Sequence, residues 1–260
     1  MILERMRSAI SACDTKLIAV LAAALCLSLA ACASSGPPMA SAPRLPQPMG
    51  WKALLIAGDD EEPAFDNAVD AMADKLEGFG VPRANIMVLK ASGHGSQAAT
   101  TANIMEDFAR LEPTAGEGCF VFITSHGGRD EGLVMTLAQA FLSPDDLDSL
   151  LDGSCGSSPT VVIASGCFSG SFAEGQSMPA PNRMILTAAR DDRTSFGCDA
   201  ERKFTIFDQC VLDNLDAGEH WQAAMEHICA CVAANEQTLD VEPSLPQLSA
   251  GAAVTDLKVF

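Results

Sequence analysis

The sequence predicts a three-layer α/β/α domain with a mostly parallel central sheet. Five short apolar runs are continuous rather than alternating, which is typical of strands covered on both faces. Stretches with apolar residues at helical spacing separate these runs. The repeated order strand, helix, strand favours parallel pairing, because each helix returns the chain to the same end of the sheet.

The elements can be placed approximately along the chain. Residues 143 and 144 are Ser-Pro, a pair typical of a helix start. The predicted strands are 52–57, 85–89, 119–124, 160–164 and 184–187, with a last strand in the Pro-bracketed stretch 244–253. The predicted helices are 63–78, 97–111, 143–151, 203–215 and 218–233.

Residues 1–31 have the layout of a signal peptide. Basic residues precede an apolar run at 17–30, which is shorter than the about 20 residues of a membrane span. The sequence at 29–32, Leu-Ala-Ala-Cys, resembles the lipobox of bacterial lipoproteins. That resemblance implies cleavage before Cys32 and a lipid on its sulfur. An ordinary secretory signal or an uncleaved anchor is the alternative.

Residues 32–50 predict a tether, because they are rich in Ala, Ser, Pro and Gly and lack apolar periodicity. Residues 51–260 are then enough for one domain with a single core. We expect this domain to be lipid-anchored at the cell envelope and to face the periplasm. In lipoprotein sorting, an aspartate directly after the lipidated cysteine favours the inner membrane. This chain has Ala33 at that position, which slightly favours the outer membrane.

The acidic composition excludes some partners. Sixteen Lys and Arg against 34 Asp and Glu give a formal net charge of −18. Nucleic acid is not expected as a partner, because phosphate binding needs clustered basic residues. A nucleotide site is not expected either, since no Gly-rich phosphate loop follows the first predicted strand.

Two neighbouring predicted strands end in residues that can perform covalent chemistry. The third strand is followed by His126-Gly127 and the fourth by Gly166-Cys167. Because the carboxyl ends of parallel strands meet at one edge of a sheet, we expect the imidazole and the thiol to lie close together. A thiol needs a nearby base to attack a carbonyl at neutral pH. The glycines allow backbone amides to approach a substrate oxygen closely.

This arrangement resembles the legumain family within the caspase-like cysteine peptidases. The resemblance implies a caspase-like fold, a dyad of His126 and Cys167, and an oxyanion hole formed by the amides of Gly127 and Cys167. It implies peptide or protein substrates, a substrate-binding loop over residues 189–195, and no metal or organic cofactor. The likeness extends to residues 51–58, 185–189 and 243–247.

Specificity for asparagine does not follow from the resemblance. Asparagine-cutting legumains have an acidic residue after the nucleophile, where this chain has Phe168, and a pocket arginine is replaced near Phe65. Polar residues close to the predicted site are instead candidates for substrate binding. They are Asp66, Asn67, Ser165, Arg190, Asp191 and Ser195.

Each motif alone has a simpler interpretation. The second His-Gly pair, His94-Gly95, stands in a Gly- and Ser-rich loop and is interpreted as a plain loop histidine. A cysteine at a strand end can pack as a small hydrophobe. His227, Cys229 and Cys231 suggest a metal site, but their spacing is not that of zinc ligands. The pairing of His126 with Cys167 is therefore the observation that favours catalysis.

The ten cysteines are consistent with an exported protein. Cys119 begins one predicted strand and Cys155 shortly precedes the next, so we expect both at the amino end of the sheet and paired with each other. The partners of the other cysteines stay open, although Cys229 and Cys231 are too close in sequence to bridge each other without strain. These others are Cys198, Cys210, Cys229 and Cys231.

Three functions are consistent with these features. A cysteine-type endopeptidase would form a thioester acyl-enzyme on Cys167 and hydrolyse it. A transpeptidase would form the same acyl-enzyme and transfer it to an amine. A non-catalytic caspase-like envelope protein would bind peptides and leave Cys167 unreactive.

Overall fold

The computed structural model describes residues 43–198 and 202–260. The predicted signal peptide, the Cys32 lipidation site and residues 33–42 of the predicted tether lie outside this part of the chain. Within it, every helix is too short or too polar to cross a membrane.

The last residues of the predicted tether lie on the domain. The amide of Leu45 donates to the Ala253 carbonyl at 2.8 Å, and Gln47 Nε2 donates to the Lys258 carbonyl at 3.0 Å. The folded part therefore begins before Trp51. The sequence predicts a start at Trp51, because residues 32–50 lack apolar periodicity. Composition alone did not indicate this, because the contacts are with the far end of the chain.

The central sheet has six strands in the order β2-β1-β3-β7-β8-β9. All pairs are parallel except β8 with β9, as predicted for a mostly parallel sheet. The chain adds β2 on one side of β1 and β3 on the other, so strand order reverses between β1 and β3. The strands are β1 Gly50–Ala57, β2 Ile86–Lys90, β3 Glu117–Thr124, β7 Thr160–Ser165, β8 Arg183–Thr187 and β9 Gln247–Ala250.

Helices cover both faces of the sheet, which confirms the three-layer prediction. They are α1 Pro63–Gly78, α2 Thr101–Leu111, α3 Pro144–Ser154, α4 Ser171–Glu174, α5 Ile206–Asn214 and α6 Trp221–Leu239. The core on one face contains residues of α1, α5 and α6, and the core on the other contains residues of α2, α3 and α4.

Capping side chains set the helix starts more sharply than apolar spacing did. Thr100 Oγ1 accepts from the amide of Asn103 at 3.3 Å, so α2 begins at residue 101 rather than at 97. Thr205 Oγ1 accepts from the amide of Asp208 at 3.1 Å, so α5 begins after it. A hydroxyl at this position satisfies an amide that has no partner within the helix.

The strands are apolar throughout because both of their faces are buried. Along β1, Ala53 and Leu55 point into the core that contains α1, while Leu54 and Ile56 point into the core that contains α2. All four are fully buried. Successive side chains of a strand point to opposite faces, so a strand between two helical layers shows no polar alternation.

A small antiparallel sheet, which the sequence did not predict, follows His126 directly. It consists of β4 Gly127–Gly128, β5 Gly132–Met135 and β6 Ala140–Leu142. Such short strands give almost no periodicity in sequence. The amide of Val134 in β5 donates to the His126 carbonyl at 2.9 Å, so this sheet supports the loop after β3.

Cys119 and Cys155 form a disulfide, as predicted, with a sequence separation of 36 residues. The bridge ties the amino end of β3 to the C-cap of α3, just before β7. A second disulfide, whose pairing the sequence left open, joins Cys210 of α5 to Cys231 of α6. Both bridges lie within the layers rather than at the carboxyl ends of the strands.

Removal of the Cys119–Cys155 bridge is expected to destabilise the domain. For a loop of 36 residues, the Cys119→Ala/Cys155→Ala variant should lose about 4 kcal/mol in free energy of unfolding, because the unfolded chain gains freedom. Urea unfolding without reductant measures this loss. A similar loss in either single variant, which also lacks this bridge, would support it, whereas an unchanged midpoint would contradict it.

Candidate active site

His126 lies two residues beyond Thr124, the last residue of β3. Ser125 fixes the backbone there, since its amide donates to the Ser165 carbonyl at 3.0 Å and its hydroxyl donates to the Val134 carbonyl at 2.7 Å. The rings of His126 and Phe65 pack nearly perpendicular to each other, with centroids 5.1 Å apart. Phe65 is fully buried in α1, so the imidazole packs against the core.

Cys167 lies at the same level on the next strand. The register pairs Thr124 of β3 with Ser165 of β7, and each functional residue follows its partner by two positions. The turn after Cys167 is tight, because Phe168 has a left-handed backbone with φ of 58°. The Phe168 amide donates to the Arg193 carbonyl at 2.7 Å, which holds this uncommon conformation in place.

Gly127 is required by the close approach of these two loops. A Cβ atom on Gly127 would lie 1.9 Å from the Cys167 carbonyl oxygen and 3.0 Å from the Cys167 amide nitrogen. Only a residue without a side chain fits there. The backbones that carry His126 and Cys167 are therefore in direct contact.

His126 and Cys167 line one pocket at the carboxyl ends of β3 and β7. Of the predicted substrate-binding residues, Ser165 and Ser195 also line this pocket. Its lining is Phe65, Ser125, His126, Ser165, Gly166, Cys167, Ser195, Phe196, Cys198 and Thr205.

Ser195 makes the closest polar contacts with the thiol of Cys167. Its amide lies 3.4 Å from Sγ, its carbonyl oxygen 3.5 Å and its hydroxyl oxygen 3.9 Å. The amide donates to sulfur, while the carbonyl accepts from the thiol when it is protonated. The loop before Phe196 therefore forms one wall beside the sulfur.

The other predicted substrate-binding residues contact other groups and do not line this pocket. Asp66 pairs with the Ser92 hydroxyl, and Asn67 Nδ2 donates to the Lys203 carbonyl at 3.1 Å. Arg190 forms a bidentate ion pair with Asp192 at 2.6 and 2.8 Å, and Asp191 is exposed. The Arg129 guanidinium lies 4.6 Å from the centroid of the Phe168 ring.

Two carboxylates after β1 approach His126 and were not recognised in the sequence. Glu61 Oε2 lies 3.7 Å from His126 Nε2, and Glu61 is mostly exposed. Asp59 is buried, and its carboxylate accepts from the Glu61 amide at 2.7 Å and from Thr136 Oγ1 at 2.9 Å. The sequence signal for these two residues was the acidic run that directly follows the first strand. Because β1 ends beside β3, this run lies close to the residue that follows β3.

Asp208 lies fully buried directly behind the pocket. Its Oδ2 accepts from Thr124 Oγ1 at 2.6 Å, and the hydroxyls of Ser165 and Thr205 also face it. Burial raises the pKa of Asp208, and the three hydroxyls oppose this by a smaller amount. The spacing Thr205-x-x-Asp208 is a helix-capping pattern, which would have placed this carboxylate at the start of α5.

Comparisons with known proteins agree with this fold. The model of the Peptidase C13 family matches residues 102–228, a range that holds His126, Cys167 and Asp208. The crystal structure of caspase-1 from Spodoptera frugiperda is similar to this chain with a TM-score of 0.59 and 12% identity, over 84% of this chain and 94% of that chain. At this identity the likeness shows the fold, and the predicted caspase-like fold is confirmed. No curated protein matches the chain in sequence.

The buried Asp208 should make stability depend on pH in a predictable direction. Its pKa is raised above the ordinary 3.8, so the unfolded chain loses this proton first as the pH rises. The stability that the neutral carboxyl contributes is therefore complete below 3.8 and is lost as the pH rises through the folded-state pKa. Asp208→Asn cannot ionise, so wild type should lose stability relative to this variant over that window.

Urea unfolding of both proteins between pH 3.5 and 8 measures this difference. The exposed Asp216→Asn is the matched control, and its curve should stay parallel to that of the wild type. If the free energy of unfolding of Asp208→Asn and of the wild type changed in parallel with pH, the pKa of Asp208 would be the same in the folded and the unfolded chain.

Proposed function

We propose that this chain, which matches the model of the Peptidase C13 family over residues 102–228 and has a caspase-like fold, is a legumain-like cysteine-type endopeptidase. Cys167 is the nucleophile and His126 the general base. The observation that carries this proposal is that the two side chains line one pocket at the carboxyl ends of adjacent parallel strands. Peptides or proteins are the substrate class.

Acylation follows from the positions of the two side chains. His126 accepts the thiol proton, and the Cys167 sulfur attacks the scissile carbonyl carbon to form a C–S bond and a tetrahedral oxyanion. As the oxyanion collapses, the C–N bond breaks and His126 gives its proton to the leaving amine. Water then attacks the thioester with His126 as base, which releases the carboxylic acid and regenerates the thiol.

The oxyanion would be bound by the backbone amides of Gly127 and Cys167. The place of a Gly127 Cβ atom is 3.0 Å from the Cys167 amide nitrogen, so these two peptide units adjoin. Backbone donors fixed in this way stabilise developing charge without reorganisation.

The substrate would lie against the wall formed by Ser195. The backbone of this residue is 3.4 to 3.5 Å from the sulfur, close enough for an extended peptide to pair with it while its carbonyl meets Cys167. Ser165 and Thr205 line the same pocket, with their hydroxyls facing Asp208.

We also propose that Cys32 is lipidated and anchors the domain at the cell envelope, with the domain facing the periplasm and the outer membrane slightly favoured. The support is the sequence at 29–32 after an apolar run, followed by Ala33. The substrate would then be met outside the cytoplasm.

Lipidation of Cys32 can be tested by metabolic labelling of the full chain with an alkyne fatty acid in a bacterial host. The wild type should carry the label and fractionate with membranes, and Cys32→Ser should lose the label. Cys26→Ser, which removes a cysteine inside the apolar run, is the matched control and should keep it. Equal labelling of all three proteins would refute lipidation at Cys32.

The dyad can be tested with a peptidyl acyloxymethyl ketone probe and mass-spectrometric mapping of the labelled residue. The wild type should be labelled on Cys167, and His126→Ala should be labelled at least about 100-fold more slowly, because the base is lost. His94→Ala removes a histidine that also precedes a glycine and should be labelled like the wild type.

Two results would contradict the dyad. One is the absence of labelling of the folded wild type by a varied probe panel, which would favour a non-catalytic peptide-binding protein. The other is equal labelling rates of wild type and His126→Ala, which would show that the thiol reacts without this base.

A further inference from the structure

Three metal-binding side chains converge beside the dyad. One carboxylate oxygen of Asp59, one of Glu61 and one ring nitrogen of His126 all lie within 4.8 Å of one another. We propose that these residues bind a divalent transition-metal cation, with Zn²⁺ as the best fit, and that the bound cation inhibits the peptidase. The inhibition rests on the proposed function, whereas the binding does not.

The three side chains differ in mobility in a way that suits metal capture. Asp59 is 8% exposed and fixed by hydrogen bonds from the Glu61 amide and Thr136 Oγ1. These bonds leave its carboxylate oxygens with further lone pairs. His126 packs against the buried Phe65 ring. Glu61, with 76% of its side chain exposed, is the most free to move of the three.

The movement required is small. Ligand atoms about 2.0 to 2.2 Å from a tetrahedral zinc ion are roughly 3.3 Å apart. Glu61 Oε2 is already 3.7 Å from His126 Nε2. Rotation of the exposed glutamate side chain can close the gap between these two atoms without displacement of the backbone.

The donor set selects the class of cation. Two carboxylate oxygens and one imidazole nitrogen suit zinc and similar first-row metals, whereas magnesium and calcium prefer oxygen ligands alone. Three protein ligands leave a fourth position for water.

Cation binding would remove the general base. The ion coordinates His126 through the lone pair of one ring nitrogen, and the other nitrogen of the neutral ring then carries its hydrogen. An imidazole in this state has no lone pair with which to accept the proton of Cys167. The thiolate is then not formed, and acylation stops until the cation is removed.

Binding can be tested in the full chain with Cys167→Ala, so that the nucleophile cannot act as a zinc ligand. Zn²⁺ is titrated in competition with a fluorescent chelator. Addition of Glu61→Gln should raise the zinc Kd at least about tenfold, because one of three ligands is weakened. Addition of Asp60→Asn, which neutralises the adjacent exposed carboxylate, is the matched control and should leave the Kd unchanged. Zinc bound by other thiols contributes equally to all three variants, so it does not affect the comparison between them.

Equal zinc affinity of the Glu61→Gln and Asp60→Asn variants would overturn the site. Inhibition is measured separately as acyloxymethyl ketone labelling of Cys167 in the otherwise native chain. Zinc should suppress labelling, a chelator should restore it, and Glu61→Gln should require at least about tenfold more zinc for suppression. Undiminished labelling at zinc concentrations that saturate the site would overturn the inhibition. Absence of labelling without zinc would count against the peptidase itself, while the titration would still report on the site.

Discussion

The parallel pairing of β3 with β7 is the constraint on which the rest of the site depends. The register sets Thr124 opposite Ser165, so the chain leaves both strands at the same level. His126 and Cys167 each follow two residues later, on backbones that touch at Gly127. A shift of the register by one residue would turn the side chains of β7 to the opposite faces and separate the imidazole from the thiol.

Both ends of this strand pair are fixed, by different means. At the amino end the Cys119–Cys155 disulfide ties β3 to the chain that enters β7. At the carboxyl end the small sheet after His126 holds one loop, and the loop that contains Ser195 holds the other. The buried Asp208 joins the two strands from behind through the hydroxyls of Thr124 and Ser165. His126 and Cys167 thus follow strands that are fixed at both ends, as the proposed chemistry would require.

The end of β1 brings a third loop to the same place, because strand order reverses between β1 and β3. This loop carries Asp59 and Glu61 to His126, so the imidazole faces carboxylates on one side and shares a pocket with the thiol on the other. Control by a cation would require no separate regulatory domain. It would follow from the position of an acidic turn beside the general base.

The sequence by itself determined the layers, the strands of the central sheet, the Cys119–Cys155 pair and the two residues most suited to catalysis. It did so because burial on both faces leaves continuous apolar runs and because parallel strands end at one edge. Only the tertiary structure decided which polar side chains reach the pocket. Asp66 and Arg190 are engaged elsewhere, whereas Glu61, Thr205 and Asp208 come to the site from distant segments. Such contacts depend on loop paths and strand order, which local periodicity does not encode.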